Sequence, residues 1–368
     1  MIPQPMQRAL ELARSAPHCV SPNPMVGAVV VSPDGALAGE GVSQPAPEWT
    51  HAEVTALRLA GERARGGTLY VTLEPCAHAG KTPPCTDAII AAGVAEVHYA
   101  LRDPDAKVDG RGHEALEAAG IRTVAGEGEE EAQRILEAFL KHRTTGLPFC
   151  IAKFAASLDG KIAAASGDSR WVSGPETREW AHTLRSRIDA ILVGSETVVI
   201  DDPLLTARPG GTEAERQPLR VIVDTRGRTP PMAQALTGES KTLVATGPDA
   251  PAGWRSAIEG RGAEVLPLPL AGERVDLRAL LEELGRREIV TALAEGGGVV
   301  LGSFFDAGLV DKVHAIIAPL IIGAADAPSA VAGEGADRMA DALRLREVTV
   351  ERLGEDILIT GYPEYAGE

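Results

Sequence analysis

The chain has 368 residues, of which 44% are hydrophobic and 24% charged, enough to bury the cores of two globular domains. Its net charge of -16 and aromatic content of 4% argue against polynucleotide binding, which needs clustered Lys and Arg and stacking side chains. Four cysteines, no signal-peptide core and no apolar run of about 18 residues predict a reducing, cytoplasmic location away from membranes.

The first part of the chain alternates between helical periodicity and short apolar, β-branched runs. Helices are expected at 5–16, 50–65, 86–92, 112–119 and 129–143, and strands at 24–31, 36–43, 68–73 and 94–101. The helix at 50–65 begins with Thr50-x-x-Glu53, the pattern of a capping box. The β-β-α-β-α-β-α order predicts a three-layer α/β/α sandwich around a mixed sheet.

A domain boundary is expected at Thr144-Thr145-Gly146-Leu147-Pro148, which divides the chain into domains 1–146 and 147–368. The second domain is again α/β. Its strands are expected at 149–155, 190–193, 219–223, 242–245, 264–266, 289–294 and 312–318, with a terminal hairpin of 346–353 and 357–362. A helix at 175–187 follows a second capping-box pattern, Ser173-x-x-Glu176.

The chemistry-bearing motif of the first domain is His51-Ala52-Glu53 followed by Pro75-Cys76 and Cys85. One imidazole and two thiolates form a three-ligand zinc site with a fourth position free for water, as in catalytic zinc sites. Glu53 would carry protons to and from that water. A His-x-Glu followed by Pro-Cys and a second Cys is the signature of hydrolytic nucleobase deaminases.

Other roles for these residues are open at this stage. Glu53 could be a helix cap, His78 could close the zinc site as a fourth ligand, and His78 could instead line the substrate pocket. Asn23, between two prolines, could form a turn or contact the substrate.

These residues resemble the bifunctional deaminase/reductase of riboflavin biosynthesis. The matching stretches are 22–27, His51-Ala52-Glu53, and above all the segment 74–85 with its long spacing between Cys76 and Cys85. The resemblance implies a cytidine-deaminase-like first domain in which His51, Cys76 and Cys85 hold zinc and Glu53 donates the proton. Lys81 stands where this family usually has arginine, and it is a candidate phosphate contact.

The second domain lacks the Gly-x-Gly-x-x-Gly fingerprint of Rossmann dinucleotide-binding domains. It resembles instead the reductase partner of this family, whose fold is similar to dihydrofolate reductase. The resemblance is carried by segments 154–163, 193–197, 201–208 and 295–298. By this resemblance the substrate would be bound by Ser169, Arg185, Leu205, Arg208 and Glu295. NADPH would be bound by Ala155, Trp171, Thr197, Asp201, Gly297, Gly298, Val299, Val300, Leu301, Gly302 and Ser303. By themselves, the two arginines could be surface residues and Glu295-Gly296-Gly297-Gly298 a plain turn.

The resemblance implies two reactions on small phosphoribosyl pyrimidines. The first is deamination of 2,5-diamino-6-hydroxy-4-(5-phosphoribosylamino)pyrimidine. The second is NADPH reduction of 5-amino-6-(5-phosphoribosylamino)uracil to its ribityl form. A homo-oligomer without nucleic-acid or membrane partners is expected. The alternatives are a single-activity zinc deaminase with a degenerate second domain, and a zinc-stabilised NADP sensor without turnover.

Overall fold

The computed structural model describes residues 2–16, 18–78, 82–105 and 108–365, and the side chain of His18 is not among the described parts. The chain forms two compact units, Met1–Gly146 and Leu147–Glu368. Each described unit has its own core of buried aliphatic side chains.

The first unit is built from five helices and five strands in its described part. The helices are α1 (Gln4–Ser15), α2 (Ala52–Ala60), α3 (Cys85–Ala92), α4 (Arg111–Ala118) and α5 (Glu129–Thr145). The strands are β1 (Gly27–Val31), β2 (Leu37–Val42), β3 (Thr68–Leu73), β4 (Glu96–Leu101) and β5 (Arg122–Ala125).

These strands form a mixed sheet in the order β2-β1-β3-β4-β5. β1 is antiparallel to β2 and β3, whereas β3, β4 and β5 run parallel. Glycines allow helices to approach both faces closely: a Cβ on Gly27 would lie 2.0 Å from the Ala9 carbonyl of α1, and one on Gly41 would lie 2.1 Å from the Ala52 carbonyl of α2. Because Gly41 pairs with Ala28, the neighbour of Gly27, α1 and α2 pack on opposite faces. The expected three-layer fold is confirmed.

The capping box expected at Thr50 is wrong. The α-helix begins at Ala52, after an extended His51 at the N-cap position, and it ends at Ala60. The Thr50 hydroxyl instead donates to the carbonyl of Glu48 at 3.3 Å. The late start leaves the His51 ring outside the helix, where it reaches the two cysteines. The edge strand β5 was absent from the expected elements, since its four residues include none that is buried and form no apolar run.

The strands of the second unit form a nine-stranded sheet and a two-stranded ribbon in its described part. They are β6 (Phe149–Ser157), β7 (Ala190–Gly194), β8 (Leu219–Val223), β9 (Thr242–Thr246), β10 (Glu264–Pro267), β11 (Leu270–Ala271), β12 (Arg274–Val275), β13 (Thr291–Ala294), β14 (Lys312–Ala318), β15 (Arg344–Leu353) and β16 (Asp356–Glu364). The helices are α6 (Pro175–Arg185), α7 (Ser195–Asp201), α8 (Ala252–Glu259), α9 (Leu277–Arg286) and α10 (Gly298–Asp306).

The large sheet has the order β10-β9-β8-β7-β13-β6-β14-β16-β15. Its first seven strands are parallel, and the terminal hairpin β15–β16 adds antiparallel strands at one edge. Parallel strands bring their carboxyl ends to one edge, where ligands of open α/β sheets bind. The second expected fold, an α/β domain of the dihydrofolate-reductase type, is confirmed.

The capping box expected at Ser173 is also wrong. Gly174 is the N-cap of α6, and no side chain caps it locally. The helix start is stabilised from β16, where the buried Asp356 carboxylate accepts from the Gly174 N–H at 2.8 Å and the Thr177 hydroxyl at 2.6 Å. In the part of the chain that the structure describes, no helix is long and apolar enough to cross a bilayer.

Candidate active sites

One side-chain group in the described first unit has the donor set of a metal site. The ligand atoms of His51, Cys76 and Cys85 all lie within 4.8 Å of one another. His51 Nδ1 is 2.8 Å from the Cys85 sulfur and 3.7 Å from the Cys76 sulfur. An imidazole with two thiolates suits zinc, and three protein ligands leave one position for substrate or water.

Rigid element ends hold these three donors. His51 precedes α2, Cys76 follows β3, and Cys85 is the first residue of α3. The Cys85 backbone N–H points at the Cys76 sulfur at 3.4 Å, so the positive end of α3 faces a thiolate. The other nitrogen of His51, Nε2, lies 3.3 Å from the Thr82 hydroxyl, a contact that orients the ring.

The thiols of Cys76 and Cys85 have pKa values shifted in opposite directions. The hydrogen bond from the Cys85 thiol lowers the pKa of Cys76 to about 4, and the same bond raises the pKa of Cys85. The hydrogen bond with Cys76 also raises the pKa of His51 to about 9, against the effect of burial. The lowered pKa of Cys76 favours the thiolate, which is the form of cysteine that binds a metal ion.

Glu53 lies beside this group in the first turn of α2 and is 4% exposed. Burial raises the pKa of its carboxyl group, while the charge of His51 acts in the opposite direction. A carboxyl group with a raised pKa can both accept and return a proton near neutral pH.

Glu74 is a buried residue of the motif to which the sequence analysis gave no separate role. Its carboxylate accepts from the backbone N–H groups of Gly110, Gly112 and His113 at 3.0 to 3.2 Å, and from that of Asp103 at 3.4 Å. A Cβ on Gly112 would lie 1.9 Å from the Pro75 carbonyl, so α4 packs directly on the turn that carries Cys76. A glutamate directly before Pro-Cys was the available sequence signal, but its hydrogen-bond partners are 29 to 39 residues away.

His78 is not a member of the three-ligand group, and its Nδ1 is buried without a hydrogen-bond partner in the described structure. Asn23 ends a short turn, with its N–H donating to the Val20 carbonyl at 2.9 Å. Lys81 lies outside the described residues.

The second unit contains a cavity of about 1240 Å³ at the carboxyl ends of its parallel strands. Its wall includes the residues that follow β7, β8 and β13, together with the last part of β6. All five predicted substrate residues line it: Ser169, Arg185, Leu205, Arg208 and Glu295.

Nine of the eleven predicted NADPH residues also line this cavity: Ala155, Trp171, Thr197, Asp201, Gly297, Gly298, Val299, Val300 and Ser303. The other two lie behind its wall. Leu301 is 1% exposed in the core, and a Cβ on Gly302 would lie 1.7 Å from the Ala332 carbonyl.

A triad of charged side chains, each 11 to 17% exposed, lies in this wall. Glu295 accepts from Lys153 Nζ at 2.7 Å and from Arg185 Nε at 2.8 Å. Although burial acts to raise the pKa of Glu295, the charges of Arg185 and Lys153 lower it to about 2. Lys153 received no role from the sequence, because its partner is 142 residues away.

Small residues allow α10 to pack closely at this edge of the sheet. A Cβ on Gly194 would lie 2.7 Å from Val300, and one on Gly298 would lie 2.4 Å from the Ser329 carbonyl. These close approaches place the N-terminus of α10 beside the end of β7, and the Gly297 N–H donates to the Thr197 hydroxyl at 3.0 Å. A helix N-terminus at the carboxyl edge of a parallel sheet suits a pyrophosphate.

Each half of the chain matches a known protein family. Residues 3–101 match the cytidine and deoxycytidylate deaminase zinc-binding region, and residues 148–359 match the RibD C-terminal domain. Together the two domains define the class: a zinc-dependent deaminase and a reductase on one chain.

Relatives extend this similarity over nearly the whole chain. The riboflavin biosynthesis protein RibD of Escherichia coli is 39% identical over 364 residues, covering 96% of this chain and 97% of its own. Its counterpart in Synechocystis is 42% identical over 361 residues, covering 97% and 95%. The chain therefore belongs to the RibD family of bifunctional riboflavin biosynthesis enzymes.

Solved structures agree. Acinetobacter baumannii RibD matches with a TM-score of 0.89 at 37% identity, covering 98% of each chain. A Thermotoga maritima diaminohydroxyphosphoribosylaminopyrimidine deaminase/5-amino-6-(5-phosphoribosylamino)uracil reductase matches with a TM-score of 0.84 at 33% identity, also covering 98% of each chain. The expected cofactors, zinc and NADPH, are confirmed, and the single-activity alternative is not supported because the second half matches the reductase family.

Proposed function

We propose that residues 1–146 deaminate 2,5-diamino-6-hydroxy-4-(5-phosphoribosylamino)pyrimidine and that residues 147–368 reduce the resulting 5-amino-6-(5-phosphoribosylamino)uracil with NADPH. The names of the T. maritima relative support these substrates. The observation that carries the proposal is the convergence of His51, Cys76 and Cys85 beside a buried carboxyl group, Glu53.

In the deaminase domain, His51, Cys76 and Cys85 would hold zinc, which supplies the positive charge that makes water nucleophilic at neutral pH. The Glu53 carboxylate accepts a proton from the attacking water. It then returns the proton to the departing amino group, which leaves as ammonia. Burial of Glu53 raises the pKa of its carboxyl group and so favours uptake of the proton from water.

We assign His78 to the substrate pocket, since its buried Nδ1 has no partner in the described structure and it lies outside the ligand group. Asn23 and Lys81 remain candidate contacts to the base and the phosphate.

In the reductase domain, two cations and one carboxylate in the Lys153–Glu295–Arg185 triad leave one positive charge at the cavity wall. That charge suits the phosphorylated ribosyl chain. Arg208 lies next to the triad, since Arg185 donates to the Thr206 carbonyl at 3.3 Å and Arg208 bonds to the Thr206 hydroxyl. Ser169 and Leu205 would complete the substrate site.

NADPH, which supplies the hydride, would lie along Ala155, Trp171, Thr197, Asp201 and the turn Gly297 to Ser303. The N-terminus of α10 at Gly298 would receive the pyrophosphate, whereas Leu301 and Gly302 would support the turn from behind. Reduction then depends on holding the acceptor carbon against the nicotinamide.

The test is Glu53→Gln. It should retain zinc, lose ammonia release by about 100-fold or more, and keep NADPH oxidation on 5-amino-6-(5-phosphoribosylamino)uracil. Metal content, ammonia release and NADPH absorbance measure the three quantities. Glu62→Gln, an exposed residue after α2, is the matched control and should change none of them. Wild-type rates of ammonia release in Glu53→Gln would refute the role of Glu53.

Three further expectations stay predictions. The cysteine usage favours a cytoplasmic location, the acidic composition argues against nucleic-acid partners, and a homo-oligomer is expected from the family resemblance.

A further inference from the structure

We propose that Arg220 is a positioning residue of the reductase, whose buried guanidinium holds the 202–208 loop and so sets where Leu205 and Arg208 meet the substrate. Arg220 lies on β8 and is 1% exposed. It is not one of the described residues that line the reductase cavity, so it acts on the substrate through other groups. The proposal rests on the reductase function proposed above, to which it adds a residue that shapes the substrate site.

The surroundings of Arg220 are unusual for a charged side chain in a protein interior. In the described structure its guanidinium has no carboxylate partner, and its Nε is buried without a hydrogen bond. An interior charge without a counter-ion costs free energy of folding, and a group of this kind is more typical of a functional site than of a core.

The two terminal nitrogens of Arg220 donate to backbone carbonyls. Nη1 lies 3.4 Å from the carbonyl oxygen of Leu204, and Nη2 donates to the carbonyl of Ser240. Leu204 belongs to the 202–208 loop, whereas Ser240 belongs to the segment that leads into β9. Arg220 therefore ties the loop to two strands of the large sheet.

The 202–208 loop needs such support because of its backbone conformation. Asp202 and Leu205 have φ values of 42° and 56°, in the left-handed region that residues with a side chain rarely adopt. Leu205 is nevertheless 4% exposed and forms part of the cavity wall. A conformation of this kind persists only where the surrounding contacts fix it.

Hydrogen bonds from other segments fix the two ends of the loop. At its start, the Asp202 carboxylate accepts from the backbone N–H of Gln234 at 2.7 Å. Near its end, the Ala207 N–H donates to the Gln217 side-chain oxygen at 2.8 Å. These contacts leave the middle of the loop to be held separately.

Arg220 supplies the contact to the middle of the loop. Among the described residues, its bond to the Leu204 carbonyl is the one hydrogen bond found for the backbone of residues 203–205. Leu205 follows Leu204 directly, and Arg208 ends the loop. Loss of this contact would therefore let both substrate groups shift, and small displacements of positioning groups weaken binding strongly.

The experiment measures reduction of 5-amino-6-(5-phosphoribosylamino)uracil by the full-length enzyme. Arg220→Met keeps an unbranched side chain and removes the hydrogen-bond donors. We expect the KM for this substrate to rise about tenfold, with kcat within about threefold and the Kd of NADPH within about twofold of wild type. Ammonia release by the first domain should be unchanged, which checks that the variant is folded.

Arg255→Met is the matched control. Arg255 also donates to two backbone carbonyls, those of Ala250 and Pro248, but it is not one of the described residues that line the cavity. Its replacement should alter neither the KM nor the binding of NADPH.

A double-mutant cycle with Arg208→Ala separates positioning from a general loss of structure. Because Arg220 acts through the loop that carries Arg208, the two changes together should raise KM by less than the product of their separate effects. Arg220→Lys retains the charge but lacks the fork that joins two carbonyls, and its KM should rise about threefold, which provides a second variant if Arg220→Met folds poorly.

An unchanged KM in both Arg220 variants, equal losses in KM and in NADPH binding, or effects of Arg208 and Arg220 that multiply would each overturn the assignment. Failure of the wild type to oxidise NADPH with this substrate would instead refute the reductase function itself.

Discussion

Two carboxyl groups with little exposure to solvent have pKa values shifted in opposite directions by their surroundings. Burial dominates at Glu53 and raises its pKa. At Glu295 the adjacent charges of Arg185 and Lys153 outweigh burial and lower the pKa to about 2. This difference agrees with the proton-transfer role that we propose for Glu53, whereas Glu295 stays a fixed negative charge that orients two cations.

His314 gives a pH dependence at the same scale. It lies on β14, where its ring makes a T-shaped contact with Trp180 and its Nδ1 is 2.9 Å from the Thr360 hydroxyl. Burial, followed by the charges of Lys312 and Lys153, lowers its pKa from 6.5 to about 4.

In the unfolded chain His314 therefore becomes protonated below pH 6.5, whereas in the folded chain it stays neutral until the pH falls to about 4. Stability contributed by neutral His314 is complete above pH 6.5 and is lost as the pH falls toward 4. The slope is about 1.4 kcal/mol per pH unit for one proton.

We expect His314→Gln to lack this dependence. The difference in Tm between variant and wild type should shrink as the pH falls from 7 to about 4.5, with pH 8, where both side chains are neutral, as the reference. A Tm difference that is constant over this range would contradict the assignment.

At the scale of elements, two helices are stabilised at their N-termini by carboxylates from distant strands or turns. The Glu74 carboxylate accepts from N–H groups at the start of α4 in the first unit. The Asp356 carboxylate accepts from an N–H and a hydroxyl at the start of α6 in the second unit. The N-terminal N–H groups of a helix have no intrahelical partner, so a buried helix start needs such acceptors. In the first unit this acceptor also fixes the turn that carries Cys76.

Replacing Glu74 with Gln should destabilise the deaminase domain by about 2 kcal/mol or more, because an amide places N–H groups against backbone donors. The lower Tm should be accompanied by faster loss of zinc to a chelator. Glu114→Gln, an exposed change on the same helix, is the control and should alter neither quantity. Unchanged zinc retention in Glu74→Gln would show that the turn at Cys76 does not depend on this carboxylate.

At the scale of the whole molecule, each unit has its own core, and the described metal-binding group belongs to the first unit alone. The reductase cavity is lined by residues of the second unit. We therefore expect the chemistry of each half to depend on groups within that half.

Removing zinc with a chelator should abolish ammonia release and leave NADPH oxidation on the deaminated compound within about twofold of its initial rate. Returning zinc should restore ammonia release, which serves as the control for irreversible damage. Parallel loss of both activities would show that the reductase depends on the metal.

The sequence by itself determined the features that depend on local pattern. Apolar runs and turn residues located strands such as β3 and β14, and the order of His51, Glu53, Cys76 and Cys85 indicated a catalytic zinc site. Local spacing was sufficient there because each donor follows directly from the end of one strand or the start of one helix.

Only the tertiary structure decided which side chains act together over long separations. The predicted capping boxes at Thr50 and Ser173 are absent for two different reasons. The His51 ring contacts the cysteines, so α2 starts after it, and the N-terminus of α6 is capped by Asp356 from another strand. The partners Lys153 and Glu295 are 142 residues apart. Ion pairs and caps of this kind depend on distance in space, and no periodicity in the chain encodes them.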